Sequence, residues 1–259
     1  MQTLNLLIIG NQDSNALKMS IGSKYIKKLY TNFEYKDGIA IKFNTFKELA
    51  IKCKSLKIDI VFVEDKKYIL EGIGDILKNN FINCIALNSY WTQLILNNEF
   101  ANNILSQNDI HMPERLRYPS EFPIVIKGQG FLKFANNLQE VVDYENYIGK
   151  KYPVLAKTLF LEKYIDGEEK LITTFFDGKN SISFSDNTIP KNIIEDYNQK
   201  LEKIFNSEHS KFLGFISSRV IYANDTLYHL GFNLNLPILE TDFVFLLISA
   251  IYQKLNEIE

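Results

Sequence analysis

The residues that could do chemistry gather on one short run, Glu162-Lys163-Tyr164-Ile165-Asp166-Gly167-Glu168-Glu169. An ionised carboxylate accepts two hydroxyl hydrogen bonds well, and Gly167 lets the chain turn back sharply. The plainer reading of the same run is a strand, a turn and a strand with its charges on the wet face. Lys127, in the run "PIVIKGQG", would hold an ammonium out from a strand, or simply snorkel from it. Lys157 reads more simply as a solvated lysine. Other chemistries find little support. His111, His209 and His229 lack the HxH or HExxH spacing of a metal site. Cys53 and Cys84 form no CxxC pair and suit a reducing compartment. Ser217 and Ser218 lie in no G-x-S-x-G elbow, and "GIGDIL" at Gly72 lacks the third glycine of a dinucleotide fingerprint. Phe175, Phe176, Phe184, Phe212 and Phe215 alternate along strands and read as core, not as a stacking platform.

The elements that must position these residues follow from periodicity. An apolar strand at 4–9 ends at Gly10, and residues 16–29 carry apolar positions at helical spacing. Helix 46–54, strand 58–63, helix 71–79 and strand 83–87 continue the alternation, which indicates βαβ units and a parallel sheet. This doubly wound α/β part ends near Asn88. A helix at 91–105 follows. After Pro123 come a strand, a Gly-containing turn, a second strand, a helix at 137–147 and a strand at 158–164. Hairpins are expected around Asp177–Gly178 and Asn224–Asp225, with an amphipathic helix at 193–205 between them. The expected class is α/β (α+β), with domain 1–88, domain 89–259 and a lid lobe at about 120–160.

Composition narrows the setting. With 46% hydrophobic and 23% charged residues the chain should be globular and not disordered. A net charge of -2 gives no global attraction to nucleic acid. No apolar run is long enough to span a bilayer, and no basic n-region marks a secretion signal. The expectation is a cytoplasmic protein without nucleic-acid or membrane partners.

The element order and several local words resemble the ATP-grasp superfamily. "LFLEKYIDGEEKLITTFFDG" is similar to its hinge pattern V-x-E-[EK]-[FY]-[LI]-x-G-x-E. "LLIIGNQDSNAL", "DIVFVEDKKYILEGIGDIL", "ALNSYWTQLILNNEFANNIL", "PIVIKGQG" and "FLGFISSRVIYANDTLYHLGFNLNLPILET" resemble, in order, the words of the phosphoribosylamine–glycine ligases. The resemblance implies a pre-ATP-grasp domain followed by a reduced ATP-grasp domain, with ATP as ligand. It assigns the adenine edge to the main chain of Glu162, Lys163, Tyr164 and Ile165, the ribose hydroxyls to Glu169, and the α- and β-phosphates to Lys127.

The same resemblance marks what is missing. Its metal-binding carboxylate in "EFN" is Gly231 here. Asn233 and Glu240 remain as metal-ligand positions, but a neutral amide holds Mg²⁺ poorly, so Mg²⁺ is doubtful. Its arginine is Asn235, and its "SKxFAK" lysines are Asn98 and Asn102, which removes charge-assisted phosphate contacts. The lid loop is shortened to Gly128–Gly130, "VGPE" is reduced to Val63-Glu64-Asp65, and "GPNTGGMG" is absent. The reading that follows is a degenerate ligase-like protein, with no catalytic residue assigned, acting by binding a nucleotide or a protein partner. The alternatives are an active ligase of purine biosynthesis joining ATP, glycine and phosphoribosylamine, and a structural or assembly protein whose old cleft is closed.

Overall fold

The computed structural model describes residues 3–119, 121–128, 130–207 and 211–258. Five strands, β1 (Leu4–Ile9), β2 (Ile26–Thr31), β3 (Ile39–Ala40), β4 (Ile60–Val63) and β5 (Cys84–Ile85), pair in parallel in the order β3-β2-β1-β4-β5. Strands β1 and β4 are almost wholly buried, which explains their unbroken apolar runs: a sheet covered on both faces needs apolar side chains on both. Helices α1 (Asn15–Ser20), α2 (Phe46–Ser55), α3 (Lys66–Leu70) and α4 (Ile73–Asn79) make the connections. Thr45 caps α2 through the Glu48 amide, and Glu48 reaches back to the Asn44 amide, so two orphan donors are satisfied at once.

Next come α5 (Gln93–Leu96), α6 (Asn98–Ser106), β6 (Arg115–Leu116), β7 (Ile124–Gly128), β8 (Phe131–Ala135), α7 (Leu138–Lys151), α8 (Pro153–Ala156) and β9 (Phe160–Lys163). The four strands form an antiparallel sheet in the order β6-β9-β7-β8, packed through Ile124, Ile126 and Ala135 against Val141. A second four-stranded sheet, β11-β10-β12-β13, is built from β10 (Glu169–Phe176), β11 (Ser181–Phe184), β12 (Gly214–Ala223) and β13 (Thr226–Asn233). Helix α9 (Lys191–Ser207) lies between β11 and β12, α10 (Phe243–Ile251) follows β13, and a single 3-10 turn, Leu255–Glu257, comes after α10.

Two compact units result. One comprises Met1–Gln93, Leu171–Ser218 and Phe232–Glu259; the other comprises Leu94–Lys170 and Arg219–Gly231. The first unit has a core drawn from both ends of the sequence: Leu6, Ile8 and Phe62 of the parallel sheet join Phe175, Phe215 and the α10 residues Phe243, Val244, Leu246 and Leu247. The five phenylalanines expected in the core lie in this unit. Phe175, Phe176, Phe212 and Phe215 are buried, and Phe184 packs edge-on against Phe175.

Three expected elements are corrected. Residues 16–29 are not one helix: α1 stops at Ser20, Gly22 turns left-handed at φ +76°, and β2 follows. The helix expected at 71–79 begins at Ile73, because Gly72 at φ +84° separates α3 from α4. The helix expected at 91–105 is divided at Asn97, whose side chain caps α6 by accepting from the Glu99 and Phe100 amides.

Candidate functional site

The site is built on the sheet of the second unit. Register places Val125 opposite Glu162 and Phe134, and Lys127 opposite Phe160 and Leu132. Cross-strand partners share a face. Lys127, Glu162, Phe160, Leu132 and Phe134 therefore lie on the face away from the Ile124–Ile126–Ala135 core.

On that face the Lys127 ammonium stands 2.5 Å from Glu162 Oε2 and donates to the Leu230 carbonyl at 3.0 Å. Both side chains are largely buried, 14% and 7% exposed. The contact is ionic: the solvent-shielded Oε2 accepts no hydrogen bond of regular geometry and has Lys127 as its counter-charge. A second pair lies alongside in sequence. Arg219 Nε and Nη2 both donate to the Glu169 carboxylate at 2.7 Å, a planar fork matched to a planar acceptor. This bidentate pairing lowers the Glu169 carboxyl below its ordinary value and raises the guanidinium. His229 is buried, and desolvation, followed by the charges of Lys127 and Arg219, pushes its imidazole down to about 3. It is neutral at physiological pH.

A cavity of about 520 Å³ opens beside Glu162, lined also by Asn102, His111 and Arg115. The Arg115 guanidinium lies 4.2 Å from the centre of the Phe160 ring. His111 accepts the His229 amide on its carbonyl at 2.8 Å. The rest of the expected hinge is more open. Lys163 is exposed; its amide donates to the Glu114 carbonyl at 2.9 Å. Tyr164 meets Phe134 edge-on at 5.9 Å, and Ile165 is half-buried. Past β9, the main chain of Tyr164 and Ile165 makes no hydrogen bond among the described residues. Gly167 turns the strand at φ +154°, where a Cβ would stand 2.6 Å from Ile221 Cγ2. Gly231 sits at φ +152°, with no atom within 4 Å of where a Cβ would be.

The two expected metal positions lie in the first unit. Asn233 Oδ1 accepts the Asn235 amide at 2.9 Å, and Glu240 is exposed. Among the described residues no group of three or more His, Cys, Asp or Glu could hold a metal ion; His209 lies outside them. In that unit Glu64, at the end of β4, accepts the Asn15 amide at 3.0 Å, the Ala16 amide at 3.3 Å and the Ser14 hydroxyl. The chain's own carboxylate thus takes the position at the start of α1 that an anion would favour, beside a cavity of about 320 Å³.

Lys127 and Glu162 are brought together. Glu169 is held by an arginine that sequence reasoning passed over, and His229 was set aside as scattered. A signal for Arg219 was present: it falls on the glycine of "YAGLM" in the resemblance. His229 had none, since its role depends on burial.

No family model matches the chain. Among curated proteins it is similar to phosphoribosylamine–glycine ligase of Fusobacterium nucleatum subsp. nucleatum, 21% identical over an alignment of 321 residues that covers 99% of this chain and 75% of that protein. Among solved structures it superposes on D-alanine–D-alanine ligase of Bacillus anthracis complexed with ATP, with a TM-score of 0.64, 16% identity and coverage of 99% and 100%. These elements and this likeness define the ATP-grasp fold. Superposition on phosphoribosylamine–glycine ligase of Thermotoga maritima gives a TM-score of 0.73 at 13% identity, over 96% of this chain and 76% of that one. The chain thus has the ATP-grasp fold, and both its sequence and its fold are similar to phosphoribosylamine–glycine ligase.

Proposed function

We propose that this ligase-like chain binds an adenine nucleotide on the Lys127–Glu169 face and performs no ligase chemistry. Gly231 carries the second half of the proposal: at the position where the resemblance has a metal-binding carboxylate there is no side chain. Acyl phosphate chemistry needs cations to neutralise a triphosphate and its transition state. Here Asn102 is neutral, Asn233 is engaged by Asn235, and among the described residues no group of three or more His, Cys, Asp or Glu could hold Mg²⁺, which supports this reading. ATP would find the unbonded main chain of Tyr164 and Ile165 for its base, Glu169 for its ribose and Lys127 for a phosphate. Bound ATP would supply a reactive phosphoryl group, but the charged residues described on this face, Lys127 with Glu162 and Arg219 with Glu169, are engaged with one another and not free to activate an acceptor.

Calorimetric titration with ATP, with and without excess Mg²⁺, tests the binding half. Saturable binding that Mg²⁺ strengthens little is expected. Glycine and phosphoribosylamine added with MgATP should release no phosphate; stoichiometric release would return the active ligase of purine biosynthesis. A second reading is supported by the two ion pairs. With Lys127 on Glu162 and Glu169 on Arg219, the face is satisfied by its own residues, as in a structural protein with a closed cleft that works through a protein partner. Absence of ATP binding at millimolar concentration would favour it. Buried, unpaired Cys53 and Cys84 support a cytoplasmic setting for either reading.

A further inference from the structure

We propose that the first unit carries a second binding site, remote in sequence from the hinge and independent of the nucleotide reading, which takes an acyl carboxylate. The site is a cavity of about 630 Å³ at the N-terminal ends of β1 and β4, within the size range of small-molecule pockets. Its floor is apolar: Leu4, Ile60, Ile82 and Cys53 are each buried.

One wall is α10, and that helix is unusual. Phe243, Val244, Leu246, Leu247 and Ala250 face the core. A helix packed on one side ordinarily turns polar residues to the other. Here Phe245, Ile248 and Ile251, at helical spacing and only partly buried, pack at the edge of that core and present their remaining apolar surface to the cavity. The opposite rim holds Phe81, 95% exposed and in a left-handed backbone at φ +59°. Both conditions disfavour a phenylalanine, and a chain in the cavity would cover its ring.

The charge at the rim selects the head group. Asp59 is engaged by the Asn5 amide at 2.7 Å. Lys54 and Lys57 line the same cavity, and neither has a carboxylate partner among the described residues. An apolar body on the α10 wall with an anionic head at these two lysines satisfies both features. Neutralising the raised thiol of Cys53 is unnecessary, because burial holds it up at about 11 and it stays protonated.

The test is titration of the full chain with laurate below its micellar concentration, with dodecanol as the neutral control. One-to-one saturable binding is expected, about tenfold weaker for dodecanol and at least tenfold weaker in Lys54→Glu/Lys57→Glu. Phe81→Gly should also weaken laurate severalfold while holding Tm within roughly 2 °C of the parent, since glycine accepts that backbone. No saturation by laurate, or equal binding of laurate and dodecanol in parent and lysine variant alike, overturns the proposal. ATP affinity should not change in either variant, so failure here and failure of the nucleotide reading are separable.

Discussion

At Lys127 the chain largely buries an ammonium beside a carboxylate whose nearer oxygen is shielded from solvent. Removing one partner of such a pair costs more than the pair contributes, because the other charge is left uncompensated. Lys127→Met should therefore destabilise the protein by about 3 kcal/mol, read by urea unfolding with circular dichroism. Lys127→Met with Glu162→Leu should recover most of the loss. Equal destabilisation by single and double variants would show the pair to be irrelevant. His229 sets a pH dependence of definite sign. Its folded value of about 3 lies below the ordinary 6.5, so between those limits the unfolded chain binds more protons. Stability is full above pH 6.5 and falls as pH drops toward 3, by about 2 kcal/mol at pH 5. His229→Leu should flatten that limb, whatever it does to stability at neutral pH. Glu169 acts in the same sense: its lowered carboxyl contributes stability above its ordinary value of 4.5, lost as pH falls through the folded value. Its exposure keeps that contribution small.

Among the elements, the turn at Gly167 fixes where the hinge strand ends. Gly167→Ala places a methyl 2.6 Å from Ile221 in a backbone region that L-residues avoid. A loss of about 2 kcal/mol is expected, and an unchanged urea midpoint would refute the account. Glycine and asparagine punctuation decided what was legible. The hairpin at Asn224–Asp225 was readable because both residues tolerate the left-handed conformation that they adopt, at φ +49° and +57°. The 16–29 stretch differs from its expected single helix because Ile26 and Leu29 continue a helical spacing by accident, while Gly22 alone carries the break. In the site, residues 162–169 were legible as one contiguous word. Arg219 showed only as a departure from the glycine of the resembled word, and its pairing was hidden because its partner Glu169 lies 50 residues earlier. His229 was not legible, since its character comes from desolvation, a property that no local run announces.

For the whole molecule, the first unit closes its core with the last part of the chain. Phe243, Val244, Leu246 and Leu247 pack onto strands laid down some two hundred residues earlier, Leu6 and Ile8 among them. Removing residues 243–258 strips those four side chains from the core, roughly 6–12 kcal/mol of burial, comparable to the whole stability of a domain. The sole tryptophan, Trp91, is fully buried among Phe205, Phe212 and Tyr90. Truncation should shift its emission to the red, and an unchanged blue emission would mean the core closes without α10. The same unit also holds both cysteines, Cys53 and Cys84, at 1% and 8% exposure and with thiols raised by burial. Neither can meet a thiol reagent until its surroundings part. Each labelling event at Cys84 therefore records one excursion of strand β5, and each at Cys53 one parting of helix α2 from its neighbours, so the two cysteines are built-in clocks for how often this unit breathes.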